Sequence, residues 1–595
     1  MKEFSFSTAS LRVRGTIPGS DFRTSSMVTE TTRTFGFFTR AVMRGAQAAA
    51  VRIAPERSRG RARPRRWRVL IIDEVRIPAC SDISLRDRIS TIIGLSRDVV
   101  KDVSVLRRSV DARKGKRPSF VYRVAVTLSD PALEERARGR GVRRVEGLPE
   151  SWAIPDVSPG RPDIPVGIVG TGPAGLFAAL VLLERGVPVV LFEMGKPVEE
   201  RVRDVADFWR RGILREESNV QFGEGGAGTF SDGKLTTRIK AREREFVLSL
   251  FEKFAGREGL RVEAKPHVGT NRLRTFLLNA RREIEERGGK FLFSSTVTDL
   301  TVEGGRVKSV RTSRGETVDV SALVVAPGNG ARKTFSLLAS RGIPLQPKPF
   351  AVGVRVEHPQ DLIDRIQYGS FAGCGCLPPA DYTVSVRTGA GDLYSFCMCP
   401  GGFVLLCPTG EGEVVVNGMS PSGRRTGFAN SGFVIQVHPP PGSPWDYGIR
   451  FQESLERKAY SIAGETFALP ASRVTDFVSG RPPRGELPPG RWAGPERVAV
   501  DLSPIFPPEM AEGLREGLSR VGKVLKGFVT EDATVYAVES RTSSPVRIVR
   551  GKDYASPAAE NLYPAGEGAG YAGGITSSAV DGVRVAVAIL RKFGG

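Results

Sequence analysis

The chain has 595 residues, 40% of them hydrophobic, six cysteines and a formal charge of +22. That length and apolar content suffice for more than one core, and no run reaches the roughly 20 apolar residues that cross a bilayer, so a spanning helix is excluded. Six cysteines spread over so long a chain do not make the dense disulfide framework of a small secreted domain, and a reducing compartment fits better.

Residues 1–66 carry Lys2 and thirteen arginines against Glu3, Asp21, Glu30 and Glu56, so +10 of the +22 lies there. The segment has no apolar periodicity and reads as a disordered basic leader: a transit peptide, a basic arm, or sequence upstream of a later start at Met27 or Met43. A nucleic-acid arm is the lesser reading, because no aromatic platforms interleave the arginines of "RSRGRARPRR".

From Trp67 the pattern changes. "RVLIIDEVRIPA" reads as a strand, "DISLRDRISTIIGL" as a capped amphipathic helix and "FVYRVAVTL" as a strand. They predict a small α/β module over 67–150, closed by the linker "VSPGRPDIP".

Next, "VGIVGTGPAGLFAALVLLERGVPVVLFEMGK" gives strand, glycine turn, helix, strand. Gly170 permits the tight turn, Gly172 lets backbone approach a pyrophosphate, and Gly175 lets helix and strand pack closely. Pro173 and Ala174 open the helix, whose unpaired N–H groups favour an anion. Glu193 ends the second strand, placed to accept from the ribose hydroxyls of an adenosine and to disfavour a 2′-phosphate.

The stretch "NVQFGEGGAGTFSDGKLTTRIK" mimics a second fingerprint through Gly223, Gly225 and Gly228, but no apolar strand precedes it and no apolar helix follows. It reads as a wall against a flat or anionic ligand, with Gly226, Ser231, Gly233 and Lys234 contributing. A helix, a three-stranded meander and a buried strand ending in "APGNGAR", which contains Gly328, come next. This order resembles flavoproteins of the glutathione-reductase type and favours FAD over NAD.

In that class the C-terminal segment returns to the first nucleotide unit. "LYPAGEGAGYAGGITSSAVDGVRVAVAILRKF" has the corresponding form, so the resemblance assigns Gly566, Glu567, Gly573, Gly574 and Ile575 to the flavin and its ribityl chain. The helix dipole there would favour negative charge developing on the ring.

Together "FGEGGAGTFSDGKL", "KPHVGT", "YSFCMCPGG", "NGMS", "ESRTSSPVRIVR" and "YPAGEGAGYAGGI" resemble the uncharacterised FAD-dependent dehydrogenases of bacteria and plastids, more distantly similar to flavoproteins of the glucose-inhibited-division type. The resemblance runs from about residue 67 to the end. It implies bound FAD and a redox reaction with an undefined substrate. The family's "AxGhSAR" strand end appears as "APGNGAR", with Asn329 and Gly330 where His and Ser are expected.

The predicted fold is α/β: a Rossmann-type, glutathione-reductase-like FAD domain over 160–345 and 536–595, with a β-rich substrate domain inserted at 346–535. Six closely spaced strands between "FAVGVRVE" and "GFVIQVH", then helices near 447–463 and 507–527, compose the insertion.

Cys397 and Cys399, one strand residue apart, predict thiols on the same face. Cys399 is a redox-thiol candidate against the plainer reading of two small packed residues. A Cys₄ site joining them to Cys374 and Cys376 has unusual spacing, and no metal is expected. His267 in "KPHVGT" is the general acid/base candidate, while His358 and His438 precede prolines and read as loop residues. "ESRTSSPVRIVR" as a strand puts Arg541 and Arg547 on one face, and Arg547 is the preferred anchor for an anionic substrate.

The sequence thus predicts an FAD-dependent oxidoreductase acting on a small, anionic molecule, with NAD(P)H a candidate donor and neither membrane nor nucleic acid a partner. An RNA-associated flavoprotein of tRNA-modifying type is the alternative. The expected location is the cytoplasm, or a plastid or mitochondrion if 1–66 is a transit peptide.

Overall fold

The computed structural model describes residues 69–594 apart from 114, 115, 149–151, 158, 159, 161 and 238, so the basic leader lies outside the described residues. β1 (Val69–Pro78), β2 (Val100–Asp111), β3 (Ser119–Leu128) and β4 (Val142–Val145) form an antiparallel sheet in the order β2-β3-β1-β4. The helix Leu85–Ile93 packs on it, started by Ser84, whose hydroxyl accepts from Asp87 N, and ended by Gly94 at φ +68°. β2 escaped the sequence reading because two register shifts along its pairing with β3 break the period-two alternation.

β5 (Val166–Val169), β6 (Val189–Phe192), β7 (Lys290–Leu292), β11 (Ala322–Val325) and the last strand, β24 (Leu562–Pro564), make a parallel sheet ordered β24-β11-β5-β6-β7. Its strands are near-continuous apolar runs, as a sheet covered on both faces requires. The helix Pro173–Glu184 is buried from Ala174 to Leu183 and packs along the C-terminal helix Ile575–Phe593. Their contact is close: a Cβ on Gly582 would stand 2.1 Å from Ala174 O. The meander β8 (Val297–Glu303), β9 (Arg306–Thr312), β10 (Thr317–Asp319) forms a separate three-stranded sheet.

β12 (Leu345–Pro347) pairs with β23 (Val546–Ile548). Between them lies a seven-stranded sheet ordered β14-β15-β18-β13-β22-β19-β21. It is built from β13 (Phe350–Pro359), β14 (Ser385–Thr388), β15 (Gly391–Cys399), β18 (Phe428–Val437), β19 (Leu469–Arg473), β21 (Arg497–Ala499) and β22 (Thr534–Glu539). β16 (Phe403–Leu406), β17 (Val416–Met419) and β20 (Trp492–Ala493) form a smaller sheet beside it. The helices Tyr447–Ile462 and Pro508–Val524 flank the large sheet.

Two sequence expectations change here. β22 pairs antiparallel with β13, so the large sheet continues past residue 535, where the inserted domain was expected to close. The all-buried run "TVYAVE" carries no periodicity that would tell one sheet from the other. His358 is not a loop residue: it lies in β13, 1% exposed, with Nε2 2.7 Å from Phe528 O, and burial pushes it down to about 4.

Candidate active site

Segments far apart in sequence line one cavity of about 420 Å³: 170–174, 220–234, 326–330 and 565–578, with Phe396, Cys397, Leu405 and Asn417 from the neighbouring sheets. Gly170 sits at φ +97°, and a Cβ there would meet Ala326 O at 2.3 Å. A Cβ on Gly175 would meet Gly170 O at 2.0 Å, so this glycine serves helix–strand packing and does not line the cavity. Gly172 differs: φ is −70° and an added Cβ would find nothing within 4 Å. It caps a helix whose first N–H groups have no side-chain acceptor, leaving them to an anion. Gly172→Ala is therefore expected to fold with an unchanged denaturation midpoint yet weaken FAD binding by about tenfold or more, roughly 1.4 kcal/mol. Equal flavin affinity in the variant would refute the close approach.

Glu193, 6% exposed, lines the cavity but is already engaged. Oε2 accepts from Thr171 N (3.1 Å) and the Thr171 hydroxyl (2.6 Å), and Oε1 from Gly195 N and Gly223 N (3.0 Å each). Thr171 Oγ1 is the single rotatable donor of the four, hence the one a ribose hydroxyl would replace.

The 220–234 wall contains the 3₁₀ turn Gly226–Phe230. A Cβ on Gly226 would lie 3.6 Å from Gly172 Cα, and one on Gly228 3.5 Å from Ile575. Gly225 faces away from the cavity: its N–H donates to Thr171 O, and a Cβ would strike Thr229 Oγ1 at 2.4 Å. Ser231 Oγ donates to Gly228 O and accepts from Gly233 N, folding the turn that points Lys234 inward.

Sequence reading missed what holds this wall. Arg201, fully buried in the helix Val198–Arg211, donates to Asn219 O, Val220 O, Gly223 O, Glu224 O, Gly226 O and Thr229 Oγ1 at 2.6–3.1 Å. Six acceptors for one guanidinium make it a template for the loop. An arginine among helical charges, "VEERVRDVADFWRR", gives no such signal.

On the C-terminal side, Gly566 (φ +77°) places a hypothetical Cβ 2.8 Å from Ala174 Cβ, and its N–H donates to Asp581, which Arg550 also grips. Gly328, Gly573 and Gly574 line the cavity with no atom within 4 Å of an added Cβ. A cradle of backbone open at Gly172, Gly328, Gly573 and Gly574 fits a cofactor laid against it. Glu567 faces the same space and accepts from Asn329 Nδ2 at 2.8 Å, so Asn329 supplies a donor where the family's His was expected.

Burial, opposed by Lys348 and Asn329, pushes the Glu567 carboxyl up to about 7 from 4.5. The folded chain then holds a proton that the unfolded chain has released. Its stabilising contribution is complete below pH 4.5 and is lost as pH rises to about 7. A declining denaturation midpoint across that window, flattened in Glu567→Gln, is the expected result; identical slopes would remove the assignment.

All three proposed catalytic residues lie off the cavity. His267 stands behind Asp232, with Nε2 3.0 Å from Oδ1 but its N–H not aligned on it, and desolvation lowers its basicity. Asp232 is the cavity-facing member. Burial opposes its ionisation, but Lys234, His267 and Arg424 outweigh it and hold the carboxyl below the usual range.

Arg547 is exposed, its guanidinium 5.4 Å from the Tyr571 ring centre. "ESRTSSPVRIVR" is not one strand: residues 540–545 are irregular before β23, so the expected alternation fails. Arg541 lines the cavity instead, neutralised by Glu413 (2.9 Å) and Glu456 (2.7 Å).

Cys399 is fully buried, whereas Cys397 faces the cavity. A register shift between Phe396 and Cys399 opposite β18 disrupts simple alternation, with Cys397 at φ +44°. The sulfurs are 4.0 Å apart and Cys399 Sγ donates to Cys397 O at 3.2 Å. Cys397 is lowered to about 6, by the Cys399 thiol first, against burial, then by Lys234 and Arg355; Cys399 is raised. The thiolate-forming residue is therefore Cys397.

This geometry matches known sequence families. Residues 163–206 match an FAD binding domain, 266–421 an FAD dependent oxidoreductase domain, and 349–542 an FAD-dependent protein, C-terminal domain-like. The chain is an FAD-dependent oxidoreductase, with FAD as its cofactor.

An uncharacterised protein of Clostridium beijerinckii is 38% identical over 533 residues, 88% of this chain and 98% of that one. The chain belongs to that protein's family, a family of FAD-dependent oxidoreductases.

Among solved structures, glycine oxidase from Geobacillus kaustophilus is 14% identical (TM-score 0.32, 72% of this chain, 93% of that one). L-proline dehydrogenase from P. horikoshii is 12% identical (0.30, 73% and 93%), and Aquifex aeolicus GidA 12% identical (0.30, 72% and 63%). Likenesses at this level carry no argument about substrate.

Proposed function

We propose that the chain is a dehydrogenase for a small, anionic organic molecule bound between the flavin and the wall formed by Phe396, Cys397, Leu405 and Asn417. The observation that carries this reading is the single cavity shared by the nucleotide glycines and that wall. When bound, FAD supplies the two-electron chemistry by accepting or returning a hydride.

The chain's own groups bind, orient and hold protons. Lys234 takes the anchoring role first given to Arg547: it is a cation of the cavity, with Nζ 3.6 Å from Asp232 Oδ2, and against desolvation Asp232 together with Cys399 and Cys397 favours its charged form. Glu567, titrating near neutrality, is the cavity group able to exchange a proton, the role first given to His267. Cys397 offers a thiolate at the same wall. NAD(P)H as donor would deliver its hydride to the flavin at this same cavity.

Anaerobic flavin bleaching by a panel of 2-hydroxy acids, 2-amino acids, NADH and NADPH tests the proposal. At least one carboxylate should reduce the flavin, with half-saturation raised about tenfold or more in Lys234→Met and unchanged in Arg547→Met. Bleaching by none of the panel, or equal half-saturation in both variants, would overturn it.

A further inference from the structure

Away from the flavin cavity, three exposed thiols meet. Cys80 follows β1, and Cys374 and Cys376 lie in the loop after the 3₁₀ turn Gly369–Phe371. Their sulfurs all lie within 4.8 Å of one another, with Cys374 and Cys376 3.2 Å apart. The sequence expectation is of no metal, with a Cys₄ grouping of Cys374 and Cys376 with Cys397 and Cys399 as the lesser reading; the structure instead brings Cys80, 294 residues before Cys374, to the pair.

We propose that Cys80, Cys374 and Cys376 form a binding site for one thiophilic metal ion, zinc in class, that clamps the N-terminal sheet to this loop. Thiolates bound to zinc at about 2.3 Å in tetrahedral geometry stand about 3.8 Å apart. The sulfurs, one pair at 3.2 Å and all within 4.8 Å, are near enough to reach that spacing, and exposed side chains adjust by rotation.

The backbone around them is shaped for the purpose. Gly373 (φ +77°) and Gly375 (φ +72°) alternate with the cysteines, and nothing lies within 4 Å of a Cβ on either, so conformation and not packing selects glycine. The turn brings the Cys374 and Cys376 thiols together, and the N–H of Cys374 donates to Phe371 O at 3.3 Å. Cys80 is itself left-handed at φ +55°.

Arg117 ties the two segments: it donates to Ala79 O (2.8 Å) and Cys80 O (3.3 Å) and lies 5.4 Å from the Phe371 ring centre. Three thiolates with a divalent ion carry one net negative charge, which this guanidinium opposes. The fourth coordination position faces solvent. Soft ligands without carboxylate or imidazole exclude magnesium and calcium.

The test uses full-length protein purified with reductant and zinc, then desalted. Mass spectrometry of metals should find about one zinc per chain, falling to background in Cys80→Ser and in Cys376→Ser while flavin per chain stays unchanged. Replacing zinc by cobalt should give tetrahedral d–d absorption to the red of the flavin bands, absent in both variants. Zinc at background in the unmodified chain, undiminished zinc in the variants, or a disulfide between any two of the three persisting in reductant would each overturn the site.

Discussion

Arg201→Met is expected to destabilise the protein by about 3 kcal/mol or more and to abolish retention of FAD on desalting. Each buried acceptor left without a donor costs about 1–3 kcal/mol, and this change takes a donor from five carbonyls and one hydroxyl, of which Gly223 O keeps the N–H of Gly226 and Glu224 O keeps the Thr229 hydroxyl. The charge is not neutralised locally: among the described residues Arg201 makes no ion pair, and burial draws its proton affinity down to about 10, with Glu193 and Glu224 opposing. Arg201→Lys should fail nearly as badly, because three donors on a point charge cannot reproduce a planar fork. Denaturant midpoints and flavin content decide it, and a methionine variant that stays yellow and stable would refute the template role.

The second large effect lies beneath the cavity. Arg355 and Glu539 are 0% and 1% exposed and form a two-point ion pair at 2.7 and 3.2 Å. The same guanidinium donates to Asn430 (2.7 Å), Asn417 (3.1 Å) and the carbonyl of Cys397 (3.4 Å). Glu539→Leu leaves a buried cation unpaired and should cost about 3–5 kcal/mol. Arg355→Met combined with Glu539→Leu should recover most of that loss, since an apolar pair of similar volume is often as stable as a buried ion pair.

Recovery of stability is not recovery of the site. Arg355 is one of the charges that lower the Cys397 thiol, so the double variant should shift Cys397 alkylation to higher pH. Peptide mass spectrometry would follow that residue alone. A double variant as unstable as the single, or an unchanged alkylation profile, would contradict the coupling.

The nucleotide half of this architecture is legible from sequence for a physical reason. Gly170 and Gly175 are constrained by the backbone of one strand–turn–helix and Gly172 opens that helix toward the cavity, and the spacing of one such unit is local. The catalytic groups were misplaced because their positions depend on non-local register. A shift between Phe396 and Cys399 decides which thiol reaches the cavity, and the irregular stretch before β23 decides that Arg541 points inward while Arg547 faces solvent. His267 was chosen for its chemistry, but the carboxylate it backs, Asp232, occupies the wall. Arg201 left no trace, because a side chain that bonds backbone carbonyls needs no partner residue type.

The pairing of β24 with β11, and of the C-terminal helix with Pro173–Glu184, also sets a timetable. Some 400 residues separate the two helices, so at about 5–20 residues per second the first waits on the order of 20–80 s for its cover during synthesis. Through that interval its apolar surface needs shielding, and the nucleotide cradle lacks a wall. Cofactor loading therefore belongs after the helix Ile575–Phe593 has been made, and bound flavin certifies that this helix has docked.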